Sequence, residues 1–537
     1  MRITNKVMQN NVLSNINKNK MMQDSLNTQL STGKKIQKPS EDPVVAIRAL
    51  RLRTDLSQIQ QFYKKNIPDA QSWLQLTETA IKTTVSVVKS MITECERGAS
   101  DSLETSDREK IIDSLRALRD EAYKTGDADY AGRYIFTGYR TDTSLTFAKP
   151  MEKEYQITEA FEFKDLDEMT AVNTANLYDI TEANYNGVNL VEQNIDTSTY
   201  YRFRLAYDGL DKMVPKQDLD GNALTAAITM QKKEEKPPVI QPYVHEYQDV
   251  DAAGNPAKDA DGNPIMVQSQ LQLEEDVQEA YRKAAKDPHA MFLVPSTGEL
   301  VLGKDVFNDL NKEGIRYDIT YNKSNWAATD LRPEHYFYCE SHNDQDLNVK
   351  YNPTYLTGNA SPDQKIDYQV GFDQHVQVNT YACDVYKHDI SRDVDEIIDL
   401  AENVSKVEEM VKRLETMQKD PAKNQDKIEL QMAAAKKAQT YMNDQLQKRF
   451  SKYITNSQGY LDDIDEALTI VGNRSKRVSL AENRLSDQET SFMTLQSNNE
   501  DADATEVAVK LSSAEVSYEA ALMATGKMIQ NTLLNYL

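Results

Sequence analysis

Apolar side chains recur at helical spacing along the first 140 residues. Val45, Ala49, Leu52, Leu56, Ile59 and Tyr63 alternate by three and four, and Leu74, Ile81, Val88 and Cys95 return every seventh residue with Val85 and Ile92 beside them. Such stripes place apolar side chains on one helix face. Pro39, Pro43 and Pro68 punctuate the pattern, and Gly98 stands where a helix should end. Ser106 and Glu109 have capping-box spacing and predict a further helix carrying Ile111, Leu115, Leu118 and Ala122 on its buried side.

The period changes over 140–390. Short alternating runs at 201–205, 319–322 and 376–379 predict strands. Asp220-Gly221, Gly254-Asn255 and Asp261-Gly262 predict turns, and 273–286 predicts a helix. Helical spacing returns from about Ser391. Ile397, Leu400, Val404, Val407, Val411 and Leu414 form a coiled-coil seam, and Asp420-Pro421 breaks it. Ile428, Met432, Ala435, Met442, Leu446 and Phe450 answer it, which predicts a helical hairpin over about 393–450. A last helix is expected from about Asn473 to Leu537, with a break near 498–503.

Helix–sheet–helix order means that the chain leaves a helical body, builds an outlying domain and returns. The expected fold class is therefore α+β, mainly α: an elongated helical rod built from both termini, with a β-rich insert domain in the middle. The segments expected are 1–42, a terminal assembly helix pairing with 500–537; 43–139, the N-terminal half of the rod; 140–390, a β-rich insert of one or two domains; 391–499, the C-terminal half of the rod with the extra hairpin; and 500–537, the second assembly helix.

Charge sharpens the reading of the two ends. Residues 1–38 carry seven Lys/Arg and one acid, Asp24, while 482–506 carry seven acids and one base, Arg484. Lys18, Lys20, Lys34 and Lys35 facing Glu500, Asp501 and Asp503 would set the register of the two ends. Two solvated faces are the other reading of the same charges. The apolar anchors of such a pairing are Ile3, Val7, Val12, Ile16, Leu26 and Leu30 on one side. Val507, Leu511, Tyr518, Leu522, Ile529 and Leu533 stand on the other. A lone helix as polar as 1–31 is marginal, so folding coupled to assembly is expected; a helix pair stable in the monomer is the alternative. Gly33, Pro39 and Pro43 mark a hinge, with Ser40 or Asp42 capping the next helix.

Composition removes several function classes. Net charge −23 and a pI near 4.8 disfavour nucleic acid as a partner. No run of eighteen apolar residues predicts a membrane span, and no apolar stretch near Met1 reads as a cleaved signal peptide. Cys95, Cys339 and Cys383 lack metal-knuckle spacing and read as small buried hydrophobes. His245-Glu246 begins like a zinc-protease helix, but Asp249 stands where the second His would fall. The acidic runs from Asp218 and from Asp259 lack the Glu that completes a calcium loop, and there is no phosphate-binding glycine motif. No cofactor, metal or enzymatic activity is expected. The many Tyr of the middle zone are expected to pack sheets, with a glycan- or surface-binding patch as the other reading.

Particular motifs then point to a family. Arg2-Ile-Thr-Asn5, Gln29-Leu-Ser-Thr-Gly-Lys-Lys35 and Pro39-Ser-Glu-Asp-Pro43 open the chain. Arg48-Ala-Leu-Arg-Leu-Arg53, Asp69-Ala-Gln-Ser-Trp-Leu74 and Gly132-Arg-Tyr-Ile-Phe-Thr-Gly138 follow. Asn498-Asn-Glu-Asp-Ala-Asp503, Tyr518-Glu-Ala-Ala-Leu522 and Leu533-Leu-Asn-Tyr-Leu537 close it. Together these ends resemble the flagellin superfamily, and within it the branch at the junction of hook and filament. The resemblance implies an extracellular structural subunit of the bacterial flagellum, assembling as a ring of copies of itself between a FlgK-type hook-associated protein and flagellin. It also implies type III export, with a flagellar export chaperone on the C-terminal helix. Its length in the middle and at 393–450 exceeds that of a minimal junction protein. A flagellin filament subunit is the alternative within the family, and an adhesin on a helical stalk the alternative outside it.

Overall fold

The computed structural model describes residues 5–100, 105–212, 216–217, 223–224, 228–232, 240–249, 257–258, 263–342, 349–357 and 364–530. Its principal helices are α1 (Asn5–Thr32), α2 (Pro43–Gln61), α3 (Ile67–Gly98), α4 (Thr105–Lys124), α5 (Val277–Lys286), α6 (Lys304–Leu310), α7 (Ala382–Val385), α8 (Asp389–Gln418), α9 (Gln425–Glu500) and α10 (Ala504–Gln530). Long helices at both ends enclose a strand-rich middle in sequence, so the fold is α+β and mainly α. The chain divides into two compact units. One comprises Met1–Gln71, Asp367–Val376 and Ser475–Leu537; the other comprises Ser72–Ile366 and Gln377–Arg474.

In the first unit, α2 begins as its sequence dictates. Asp42 is extended, and its carboxylate accepts from the N–H groups of Val44 (2.9 Å) and Val45 (3.1 Å), while Pro43 takes the position where a missing N–H costs nothing. Between α2 and α3 the helix widens to a π-turn over Phe62–Asn66, closed by a bond from Ile67 N–H to the Phe62 carbonyl. Pro68 explains its place: a proline inside a helix has no N–H to give and its ring strikes the carbonyl four residues back, which here falls in the widened turn. A two-stranded hairpin, Asp367–Gly371 with Gln374–Gln377, meets this turn. Phe372 packs edge-on against Phe62 at 5.5 Å, and Asn66 donates to the Gln369 carbonyl.

In the second unit the heptad stripe of α3 is wholly inside: Leu74, Ile81, Val88 and Cys95 have no exposure. The α8 seam and its α9 answer are buried too, from Ile397 to Leu414 and from Ile428 to Phe450, except for the half-buried Leu400. Two sheets lie face to face. A five-stranded sheet runs in the order Leu271–Leu273, Met291–Val294, Glu299–Leu302, Asp196–Arg204, Leu166–Asn173. A six-stranded sheet runs Val349–Tyr351, Tyr338–His342, Met151–Phe161, Ile315–Trp326, Ile228–Lys232, Ile240–Pro242. Their shared core holds Tyr155, Ile157, Phe203, Leu293, Leu300, Tyr317, Ile319 and Trp326. The outer face of the smaller sheet is covered by α5, through Ala280, Tyr281 and Ala284 on Phe292, Val301 and Tyr200. Burial on both faces explains why 291–294 reads Met-Phe-Leu-Val without alternation.

Several expectations need correction. The helical hairpin does not end near Phe450, nor does a new helix start near Asn473: α9 is one helix of 76 residues. Tyr453, Ser457, Leu461, Ile464, Ala467 and Val471 carry the buried stripe across the supposed gap. Gly459 and Gly472 face open space and are simply tolerated, at about 1 kcal/mol each. The break expected near 498–503 does occur, between α9 and α10. The helix expected over 273–286 starts only at Val277, capped by Asp276, and Leu271–Leu273 is a strand. The helix α4 starts at Thr105, so Ser106 lies in its first turn rather than at its cap. The strand expected at 319–322 falls within Ile315–Trp326; those expected at 201–205 and 376–379 overlap Asp196–Arg204 and Gln374–Gln377 and run one and two residues past their ends. The three expected turns lie outside the described residues.

Candidate assembly surface

The end of α1 is fixed by backbone chemistry. Gly33 takes a left-handed conformation (φ +67°), its N–H returns to the Gln29 carbonyl (2.8 Å), and α1 stops. The chain then runs antiparallel to the α9–α10 link. Lys35 N–H donates to the Glu500 carbonyl (2.8 Å), and Ala502 N–H donates to the Gly33 carbonyl (2.9 Å). Around this bridge the charges are matched. Lys34 Nζ lies 2.5 Å from Asp501, and Arg53 grips Glu500 with both Nε (2.8 Å) and NH2 (2.5 Å). The hydrogen bond from Lys34 holds the Asp501 carboxyl below its usual range, and that from Arg53 does the same for Glu500. Two-pronged Arg–carboxylate contact fixes orientation as well as proximity. Asp503 serves otherwise: it caps α10, accepting from Thr505 N–H (2.8 Å) and Glu506 N–H (3.2 Å).

Beyond the bridge α1 and α10 pack along their lengths. Leu26, Val507 and Ala514 are buried, with Ala502 and Leu511 against them. Val12, Ile16 and Tyr518 are half-buried, whereas Val7, Leu30 and Leu522 stay 43–48% exposed. Ile3 and Leu533 lie outside the described residues, as does the side chain of Ile529. The opposite side of α10 is also apolar: Val509, Val516 and Met523, seven residues apart, are 66–67% exposed. On α1, Leu13, Met21 and Met22 are more than half exposed.

The structure thus places Lys34, Lys35, Glu500 and Asp501 at one bridge, with Lys35 Nζ on the Asn498 carbonyl. Lys18 and Lys20 make no ion pair among the described residues and stand exposed on α1. Pro39 sits in a turn and Pro43 at the first position of α2, so the ten residues from Gly33 to Asp42 link the two helices with their start pinned to Asp501. Arg53 was missed by sequence reasoning, as was the Lys64–Glu489 pair (2.6 Å). The signal for Arg53 was present in the basic run from Arg48; nothing local tells which of its arginines finds an acid 447 positions away.

The middle zone offers less. Glu246–Gln248 is a strand, not a helix, so the residues after His245 cannot present a zinc-protease face. His245 Nε2 instead lies 3.2 Å from His289 Nδ1, with Asp309 on its other nitrogen at 3.4 Å. Among the described residues no group of three His, Cys, Asp or Glu is arranged to hold a metal ion. Likewise, no described helix is long and apolar enough to cross a membrane.

Comparison with known proteins bears on the same region. Residues 3–141 match the bacterial flagellin N-terminal helical region. Flagellar hook-associated protein 3 of Salmonella typhimurium is 27% identical over 145 residues, which cover 27% of this chain and 45% of that protein. The Escherichia coli protein of the same name is 28% identical over 117 residues, 22% of this chain and 37% of its own. The match therefore spans less than half the length of these curated relatives. A solved FlgL of Xanthomonas campestris aligns over 82% of this chain and 98% of its own at 10% identity, with a TM-score of 0.29, too low to carry weight. In its N-terminal helices, then, the chain is similar to the bacterial flagellin N-terminal region and, over part of its length, to flagellar hook-associated protein 3.

Proposed function

We propose that the chain is a non-enzymatic structural subunit of the bacterial flagellum, placed outside the cell at the junction of hook and filament. One observation carries the reading: α10 is apolar on two opposite sides, and only one of them is covered. Val507 and Ala514 bury against Leu26, while Val509, Val516 and Met523 face outward. A single copy leaves that second stripe in water, which many copies side by side would cover. Assembly then completes the folding of the terminal helices, with copies of itself, a FlgK-type hook-associated protein and flagellin as neighbours and an export chaperone on the C-terminal helix beforehand. The Lys34–Asp501 and Arg53–Glu500 pairs set register; the first is exposed on both sides, and such a pair contributes only about 0–1 kcal/mol. In this reading 1–42 and 500–537 form the assembly region with Gly33, Pro39 and Pro43 as its hinge. Residues 43–139 and 391–499 supply the helical body and 140–390 an insert.

Deleting the encoding locus tests the proposal. Cells should keep their hooks, grow no filament and release flagellin unpolymerised into the medium. Loss of the filament protein itself would identify a filament subunit instead, and normal filaments would overturn a junction role.

A further inference from the structure

The second apolar stripe of α10 has a counterpart in the same unit. On α2, Val44, Ile47 and Leu50 are 54–62% exposed, although Ala46, Ala49 and Ile59 on the other side are buried. Arg48 and Arg51 lie among them, exposed and without an ion pair among the described residues. Their neighbour Arg53 is engaged with Glu500, so the unpaired charge belongs to this face alone. The outer face of α10 has the opposite sign. Glu515 and Glu519 flank Val516, exposed and likewise unpaired among the described residues.

The α2 face matches part of the α10 face in spacing. At 1.5 Å per residue Val44 and Leu50 stand about 9 Å apart and Val509 and Val516 about 10.5 Å, with Met523 about 10.5 Å further on. Arg48 to Arg51 is about 4.5 Å along the axis and Glu515 to Glu519 about 6 Å, within the reach of an arginine. Each face carries a net charge of its own sign, positive on α2, where Arg48 and Arg51 outnumber Asp55, and negative on α10, where Glu515 and Glu519 outnumber Lys527, so each is better matched by the other than by itself.

We propose that the α2 face of one copy packs on the outer α10 face of the next, with Val44, Ile47 and Leu50 against Val509 and Val516, and Arg48 and Arg51 against Glu515 and Glu519. Two different patches in contact make a head-to-tail interface, which propagates around a ring or along a helix instead of closing as a dimer. Burial of the apolar residues supplies the attraction; the net charges disfavour α2 meeting α2. This inference rests on the polymer-subunit reading and specifies which surfaces meet.

Cross-linking in flagella tests it. The full chain carrying Leu50→Cys and Val516→Cys, in a Cys383→Ser background to remove the half-exposed native thiol, is expressed in the deletion strain. Mild oxidation of isolated flagella should give a ladder of linked copies, and either cysteine alone should give none. Dimers from Leu50→Cys alone would overturn the head-to-tail arrangement. Arg48→Glu with Arg51→Glu should lower incorporation at least tenfold, and adding Glu515→Lys with Glu519→Lys should restore it. Incorporation at full level without a ladder would refute this interface while leaving the polymer reading intact. Failure of the unaltered chain to incorporate at all would refute the polymer reading, and this interface with it.

Discussion

Buried titratable side chains pull this protein's response to pH in opposite directions. Glu159 lies inside the sheet core, accepting hydrogen bonds from the Tyr321 hydroxyl and from Ala206 N–H (3.1 Å); burial pushes its carboxyl up to about 7 from 4.5. The folded chain therefore holds a proton that the unfolded chain releases, and the stability this gives is complete below pH 4.5 and lost as pH rises through 7. His335 and His388 run the other way. Burial lowers His335 to about 4 and His388 to about 3 from 6.5, so their contributions are complete above pH 6.5 and lost as pH falls toward those values. His388 is the sharper case: Tyr207, Tyr336 and Phe337 surround its ring, and Nε2 has no partner among the described residues. Asp399, whose carboxyl burial pushes up to about 6 from 3.8, acts with Glu159, so two carboxyls and two imidazoles nearly offset between pH 7 and pH 5. Single variants expose the parts: His388→Phe should raise the urea midpoint at pH 5 relative to pH 7 by the equivalent of roughly 2 kcal/mol, and Glu159→Gln should lower it. The same pH dependence in all three proteins would show that these groups do not govern the response.

Helices are held to one another by particular close approaches, and Gly98 is one of them. A methyl group there would stand 2.5 Å from the Phe450 ring, so the end of α3 sits flat on α9 only because the residue has no side chain. Gly98→Ala should cost about 1–3 kcal/mol in chemical denaturation, as overpacking of a full core does. Phe450→Leu in the same chain should recover part of the loss; additive losses would mean that the two positions do not touch. At this scale the sequence was most legible where one helix face repeats. The stripe through Leu74, Ile81, Val88 and Cys95 and the cap at Asp42-Pro43 are local statements, and local physics decides them. The pairing of Met151–Phe161 with Ile315–Trp326 joins strands some 160 residues apart, and no short-range pattern specifies that choice. The continuity of α9 was obscured by two glycines, which weaken a helix without ending one. The same limit applies to the candidate surface. Its apolar anchors follow from periodicity, whereas the partner of Glu500 is set by a fold that brings Arg53 to it.

The molecule as a whole spends its apolar surface unevenly. Trp73, Leu74, Ile81, Val88, Met91 and Cys95 are each at most 1% exposed. The α1–α10 pair, with 28 and 27 residues, fully buries among its described side chains only Leu26, Val507 and Ala514. Each buried aliphatic contributes about 1.5–3 kcal/mol, while every ordered residue costs about 1–2 kcal/mol of backbone entropy. A long helix pair with so few anchors opens far more readily than the core, and its opening free energy is a local quantity distinct from that of the whole chain. Cover on the outer stripes would change that balance, because Val509, Val516 and Met523 would then add their burial to that of the inner face. Amide exchange reads the difference directly. In the isolated full-length chain, amides of 5–29 and 509–530 should exchange at least about a thousandfold faster than those of 73–95, which corresponds to some 4 kcal/mol less protection. In assembled flagella the gap should close from the terminal side, with the core unchanged. Strong protection of both terminal helices in the isolated chain would mean that the pair is complete by itself, and that assembly joins surfaces already folded.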